Sequence, residues 1–313
     1  MILGIDTSCY RTSAALADRD GSFFDRRVLL EAPKGTRGFR QSEGVFRHVQ
    51  TLPAVLSGLL REAGHPSIDA VCVSVKPRPA DASYMPVFLV GEGQAIALAE
   101  AMRVPLYRTS HQQGHIRAAM VGNSAIADRF LAVHLSGGTT EILQCDRGLR
   151  VQRIGGSGDL HAGQLIDRIG VAMGCGFPSG PEMERLAGKG RCASLFPTAI
   201  RAETCSFSGA EAQALRMLAA GASCEDVAAE VYSVIARTLA KMLKEASLRT
   251  RTADVLLCGG VASSDFLRKM LSERLDRLEC HLRLFWARSD LSGDNAVGTA
   301  LIGLDLLNAE GKA

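Results

Sequence analysis

The stretch Ile2-Leu3-Gly4-Ile5-Asp6-Thr7-Ser8-Cys9, followed by Thr12-Ser13-Ala14-Ala15-Leu16, reads as an apolar strand, a small hydroxyl-rich turn and a second apolar strand. About 130 residues later the pattern returns. There Val133-His134-Leu135-Ser136-Gly137-Gly138 is followed by Thr140-Glu141-Ile142-Leu143. A hairpin repeated at this distance predicts a duplicated fold with one hairpin in each of two lobes. Both turns would then point backbone N–H groups into the cleft between the lobes, an arrangement suited to a phosphate.

Outward from the hairpins, short apolar runs alternate with longer helical patterns. Strands are expected at 2–6, 13–17, 70–75, 131–135, 141–144, 255–258 and 281–285, and helices at 45–63, 90–102, 164–173, 210–219, 224–248, 265–276 and 294–307. The alternation predicts an α/β protein with helix-covered sheets. The stretch 176–209, richer in Gly, Pro and Ser, reads as loops with short helices. The expected division is an N-terminal lobe over 1–128, completed by the C-terminal helix at about 293–313, and a C-terminal lobe over 129–292, with the active-site cleft between them.

Bulk composition narrows the class. A chain of 313 residues is long for a single core. No apolar stretch approaches the roughly 18 residues needed to cross a bilayer, so no membrane is expected. The opening MILGIDTSC reaches Asp6 without a basic segment and reads as a strand rather than an export signal. Nine cysteines with no CxxC fit reduced thiols in the cytoplasm. A net charge of +3 neither announces nor excludes nucleic acid.

The chemistry concentrates in Ser110-His111-Gln112-Gln113-Gly114-His115. Spacing of four places both imidazoles on one helix face, a common way to offer two nitrogens to one metal ion. Asp294, after Ser292-Gly293 and ahead of an apolar helical pattern, is either a helix cap or a third ligand. Two histidines and a carboxylate suit zinc, iron or manganese. The residues between the histidines lack the glutamate of HExxH, so the sequence gives a peptidase little support.

Three glycine turns accompany the trio. Ser136-Gly137-Gly138 tolerates close approach of a ligand, because glycine has no Cβ. Cys258-Gly259-Gly260-Val261-Ala262-Ser263 ends a strand and opens a helix, which favours an anion. Phe177-Pro178-Ser179-Gly180-Pro181 is a further tight turn. Asp167, on a helical pattern, suits a ribose hydroxyl or a solvated face. Asp6, ending the first strand, is either satisfied by its own turn or polarises a water or substrate, directly or through a metal.

Taken in order, ILGIDTSC, GFRQSEGVFRHVQTLP, SHQQGHIRA, HLSGGTTEIL, FPSGPEMERLA, CSFSGAEAQAL, LLCGGVASSDFLR and GDNAVGTAL resemble the TsaD family, once called O-sialoglycoprotein endopeptidase or glycoprotease. The resemblance implies the two-lobed fold of actin, Hsp70 and sugar kinases. It implies a metal, iron or zinc, on His111, His115 and Asp294. It also implies an adenine nucleotide (threonylcarbamoyl-AMP, ATP or AMP) on Ser136, Gly137, Gly138, Asp167, Gly180, Gly259, Gly260 and Ser264, with Asp6 as a catalytic candidate. The implied reaction moves a threonylcarbamoyl group from its adenylate to N6 of adenosine in tRNA. The implied partners are tRNA, a TsaB-like paralogue and a TsaE-like ATPase.

The sequence departs from the family pattern at named places. Tyr10 and Arg11 stand where the family has two acids, and Thr139 where it has a histidine. Asp159, Leu160 and Gln164 replace paired acids and a glutamate, Ser264 replaces an asparagine, and Lys76-Pro77-Arg78-Pro79 replaces a GPG loop. These departures leave open a catalytically altered paralogue that serves as a partner or regulatory module, or one that uses a different carbamoyl acceptor.

Overall fold

A computed structural model describes residues 1–8, 10–30 and 40–311; Cys9, Gly38 and Phe39 of the motifs above lie outside them. Among the described residues the chain forms two units, Met1–Val121 with Gly293–Ala313, and Gly122–Ser292. Unit 1 runs β1 (Ile2–Asp6), β2 (Arg11–Ala17), β3 (Phe23–Leu29), α1 (Gln41–Glu62), β4 (Ala70–Lys76), α2 (Phe88–Met102), β5 (Leu106–Ser110) and α3 (His111–Ala119). Unit 2 runs β6 (Arg129–Leu135), β7 (Thr140–Asp146), β8 (Val151–Ser157), α4 (Ala162–Ala172), α5 (Gly180–Ala187), β9 (Ala199–Arg201), β10 (Thr204–Ser206), α6 (Ser208–Ala219), α7 (Cys224–Thr250), β11 (Asp254–Cys258), α8 (Asp265–Arg277), β12 (Arg283–Trp286) and α9 (Ser289–Ser292). The chain then returns to unit 1 with α10 (Val297–Glu310).

The duplication is explicit in the sheets. The first is ordered β3-β2-β1-β4-β5, and the second contains β8-β7-β6-β11-β12 in the same relation, extended by β10 and β9. In each, the hairpin is antiparallel, and the strand after the long helical insertion returns parallel to the first. This is the two-sheet plan of the actin, Hsp70 and sugar-kinase class.

Helices on both faces explain why β1 is buried at all five positions rather than alternating. On one face Leu3, Ile5, Val71 and Val73 pack against Leu52, Val55 and Leu59 of α1 and Ala95 and Ala99 of α2. On the other, a Cβ at Gly4 would come to 2.5 Å from the Ala300 nitrogen of α10.

Five strands escape the sequence reading, and their exposure explains part of this. Both β3 and β5 lie at sheet edges, and β3 alternates half-buried and exposed residues through Phe-Phe-Asp-Arg-Arg. β8 opens on exposed Gln152 and Arg153, so its hydropathy resembles a loop. β9 and β10 are three residues each and fall within the stretch read as loops. The last helix begins at Val297, not 294. The Asn295 side chain accepts from the Val297 nitrogen at 3.0 Å and shapes the turn ahead of the helix, so Asp294 is not its cap.

Contact between α3 and α10 decides where the histidines stand. A Cβ on Gly298 would overlap the Gly114 carbonyl oxygen. Gly298→Ala therefore forces the helices apart, and the expected cost is about 1–3 kcal/mol in urea unfolding. Gly93, inside α2 with nothing within 4 Å of an added Cβ, provides the contrast. Gly93→Ala is expected to stabilise by roughly 0.5–1 kcal/mol.

Candidate metal centre and glycine turns

Strand β5 passes into α3 without a loop. Ser110, extended at φ −106° and ψ 153°, accepts from the Gln113 nitrogen, while the Gln113 side chain accepts from the Ser110 nitrogen at 3.1 Å. This capping box fixes His111 as the first helical residue, with His115 one turn on. The two rings meet edge to face with centroids 4.4 Å apart.

Three ligand atoms converge there. His111 Nε2 and His115 Nε2 are 3.0 Å apart, and Asp294 Oδ1 lies 3.2 Å from His115 Nε2 and 3.6 Å from His111 Nε2. Three donors held about 2.1 Å from one ion stand roughly 3.0–3.4 Å apart. The spacing therefore fits a single divalent cation. The donor set of two imidazoles and a carboxylate fits zinc or iron. Among the described residues this is the one group of three or more His, Cys, Asp or Glu residues so arranged.

Asp6 stands behind the group. Buried at the end of β1, its Oδ2 accepts from Ser74 Oγ at 2.5 Å and meets His111 Nδ1 at 2.9 Å, while Oδ1 accepts from the Ser8 nitrogen at 2.9 Å. With three donors engaged, Asp6 acts through His111. A carboxylate on Nδ1–H leaves the Nε2 lone pair aimed at the group. Ser74 was not singled out from sequence, since a hydroxyl at a strand end carries no periodicity signal; Ser8 serves through its backbone nitrogen, in the turn that the sequence reading offered as a partner for Asp6. The capping box S-x-x-Q was legible and would have placed the helix start.

Electrostatics bind the four residues together. Burial alone would lower the His111 pKa, but the Asp6 charge and the Asp294 carboxylate override it and hold it well above the ordinary value. Burial opposes ionisation of Asp294, yet its bonds from His111 and His115 hold the carboxyl well below its usual range. Asp6 is lowered likewise, against burial, by His111, Ser74 and Ser8.

The remaining site residues named from sequence lie in unit 2. Ser136, Gly137 and Gly138 form the turn between β6 and β7, closed by Ser136 N donating to Thr139 O at 2.9 Å. The start of α4 presses on it, since a Cβ at Gly163 would sit 2.6 Å from Ser136 O. Gly259, at φ +95°, would overlap the Leu135 carbonyl oxygen if it bore a side chain. Backbone packing alone therefore requires glycine there. Gly137, Gly138, Gly180 and Gly260 meet nothing within 4 Å, so their Cβ positions are open.

Asp167, half-buried on α4, accepts from the Ser179 nitrogen at 2.8 Å beside Gly180, and burial raises its pKa. Tyr232 Oη donates to Gly180 O at 3.2 Å. Ser264 caps α8 by accepting from Leu267 N at 3.2 Å. Tyr232, buried in α7, is thus a support that sequence reasoning missed. Asp159 is taken up by the β10–α6 join, accepting from Ser206, Phe207 N and Ser208 N.

The TsaD family, described as tRNA N6-adenosine threonylcarbamoyltransferase, matches residues 37–301. This chain belongs to that family. TsaD relatives include the tRNA N6-adenosine threonylcarbamoyltransferase of Thermus thermophilus, 31% identical over 306 residues, which are 96% of this chain and 91% of the relative. A Methanothermobacter thermautotrophicus protein named probable bifunctional tRNA threonylcarbamoyladenosine biosynthesis protein is 29% identical over 97% of this chain. The chain spans only 55% of that protein's length.

Among solved structures, T. kodakarensis HypF superposes with a TM-score of 0.65 at 17% identity, over 98% of this chain and 48% of HypF. A ROK family glucokinase from Streptomyces griseus, solved with glucose and AMPPNP, gives 0.54 at 14% identity over 96% and 98%. These likenesses establish the fold class.

In metal-free protein, protonated His111 stabilises the fold below its unfolded pKa of about 6.5, and that contribution is lost as pH rises through the elevated folded value. Metal binding runs the other way, because the ion displaces a proton and its affinity climbs with pH. Scanning fluorimetry of stripped and loaded protein should therefore show their melting temperatures diverging as pH rises. Asp6→Asn should weaken metal binding by about 10–100-fold, read by competition with a chelator.

In unit 2, Gly137→Val should leave the melting temperature nearly unchanged and weaken ATP or AMP binding in calorimetry. Gly259→Val should fail to fold stably, since it combines a left-handed φ with a backbone collision.

Proposed function

We propose that this chain transfers a threonylcarbamoyl group from threonylcarbamoyl-AMP to N6 of adenosine in tRNA, with a divalent metal held by His111, His115 and Asp294. The convergence of those three ligand atoms, in a member of a transferase family, carries the reading. The three side chains bind the ion, and Asp6 holds the proton on His111 Nδ1 so that Nε2 stays a donor. Ser74 and Ser8 keep Asp6 aimed, and the α3–α10 contact keeps Asp294 within reach of both histidines. A bound divalent ion supplies Lewis-acid polarisation of a carbonyl. In the transfer itself, the N6 amine bonds to the carbamoyl carbon, the bond to the adenylate phosphate oxygen breaks, AMP leaves, and the amine proton is lost.

In unit 2 the turn of Ser136, Gly137 and Gly138, with Gly180 and Gly260, offers open backbone suited to the adenylate, and Asp167 suits a ribose hydroxyl. Partners under this reading are tRNA, a TsaB-like paralogue and a TsaE-like ATPase, in the cytoplasm. No helix among the described residues is long and apolar enough to cross a membrane.

Tyr10 and Arg11 favour a second reading, a paralogue with altered substrate handling or a different carbamoyl acceptor. Purified protein given threonylcarbamoyl-AMP and unmodified tRNA should produce modified adenosine detectable by mass spectrometry of nucleosides. His115→Ala should reduce it by at least about 100-fold, the scale of losing an electrostatic stabiliser of the transition state. No product from the wild type, with metal bound and partners supplied, would move the assignment to the second reading.

A further inference from the structure

Arg11 opens β2 and is half-buried. Its guanidinium lies against the chain just ahead of a metal-ligating candidate: Nη1 and Cζ stand 3.5 Å and 3.9 Å from the position a Cβ on Gly293 would take. Gly293 directly precedes Asp294. At those distances the guanidinium would lie in ordinary van der Waals contact with such a Cβ, so it stands directly beside this stretch of chain. It forms no ion pair with Asp294, whose Oδ1 is engaged with His115 and His111. Among the described residues Arg11 makes no ion pair, and the hydrogen bond it donates is the backbone one to Ser8 O.

A second cation stands on the same side of the unit. Lys76 ends β4, two residues beyond Ser74, and is paired in register with Ser110, the cap of α3. It likewise has no ion pair among the described residues. With a divalent ion bound, the charges of Asp6 and Asp294 cancel it, and the two cations remain in excess. A local field of that sign favours an anionic ligand. The planar guanidinium, with its forked donors, matches a carboxylate two bonds at a time.

We infer that Arg11 is a specificity-determining residue that binds a carboxylate carried by a ureido ligand at the His111–His115–Asp294 group. This deepens the proposed function and rests on it, since it places the carboxylate on the carbamoyl side of the substrate. The phosphate of an adenylate shares the oxyanion chemistry and is separated by the test.

Calorimetry uses N-carbamoylthreonine, its uncharged carboxamide and AMP as probes. Each is titrated into wild type, Arg11→Gln and Arg11→Lys, both metal-loaded and metal-stripped. The expected result is that Arg11→Gln weakens N-carbamoylthreonine about 10–100-fold, as for losing a hydrogen-bonded charge pair. Arg11→Lys should recover part of the loss, and the carboxamide and AMP should bind wild type and Arg11→Gln alike.

Melting temperature and metal content of Arg11→Gln should match wild type, so the loss is not misfolding. The stripped protein should show the same dependence on Arg11 at lower affinity, which separates this claim from the metal assignment. A wild type without metal would sink the metal reading alone. The Arg11 inference is overturned if N-carbamoylthreonine binds both proteins equally, if wild type fails to bind it at about 10 mM, or if only AMP responds to the substitution.

Discussion

Everything chemical in unit 1 depends on how closely α3 and α10 approach. His111 and His115 come from a helix that leaves the edge strand β5, while Asp294 comes from a turn 179 residues after His115. Gly114 lies between the two histidines, and Gly298 lies one turn beyond Asp294. Side chains at that crossing would hold the helices apart, and a metal site tolerates displacements of only a few tenths of an ångström. The glycines are therefore part of the site, although they touch no ligand atom.

Asp6 adds orientation to that proximity. Its position at the end of β1 follows from the same parallel pairing that defines the fold, because β1 and β4 lie side by side and bring Ser74 to its carboxylate. The sheet topology thus sets a carboxylate against His111 Nδ1. A buried carboxylate bonded by three donors is unsuited to proton transfer with substrate and well suited to holding an imidazole still. In unit 2 the division of labour is similar: Gly259 serves the backbone, whereas Gly137 and Gly138 leave space beside it.

Much of this was legible in the sequence. Repetition of the hairpin disclosed the duplicated α/β plan, since β1, β2, β6 and β7 are buried strands whose apolar runs stand out. The charged strands β3 and β8 did not stand out, because partly exposed strands spend half their residues on solvent. The HxxxH spacing disclosed two imidazoles on one helix face, but whether Asp294 capped the last helix could not be read locally. That question was settled by Asn295, whose side chain takes the Val297 nitrogen. Ser74, Tyr232 and the Gly114–Gly298 contact were illegible for a common reason: each matters through a partner distant in sequence.

The most direct test of the central claim is an anomalous-scattering map from crystals of the protein purified without chelator, collected at the absorption edges of zinc and iron. One peak is expected, about 2.0–2.2 Å from His111 Nε2, His115 Nε2 and a carboxylate oxygen of Asp294. An ion bound elsewhere, or the same side-chain geometry with no anomalous signal after equilibration with both metals, would contradict it.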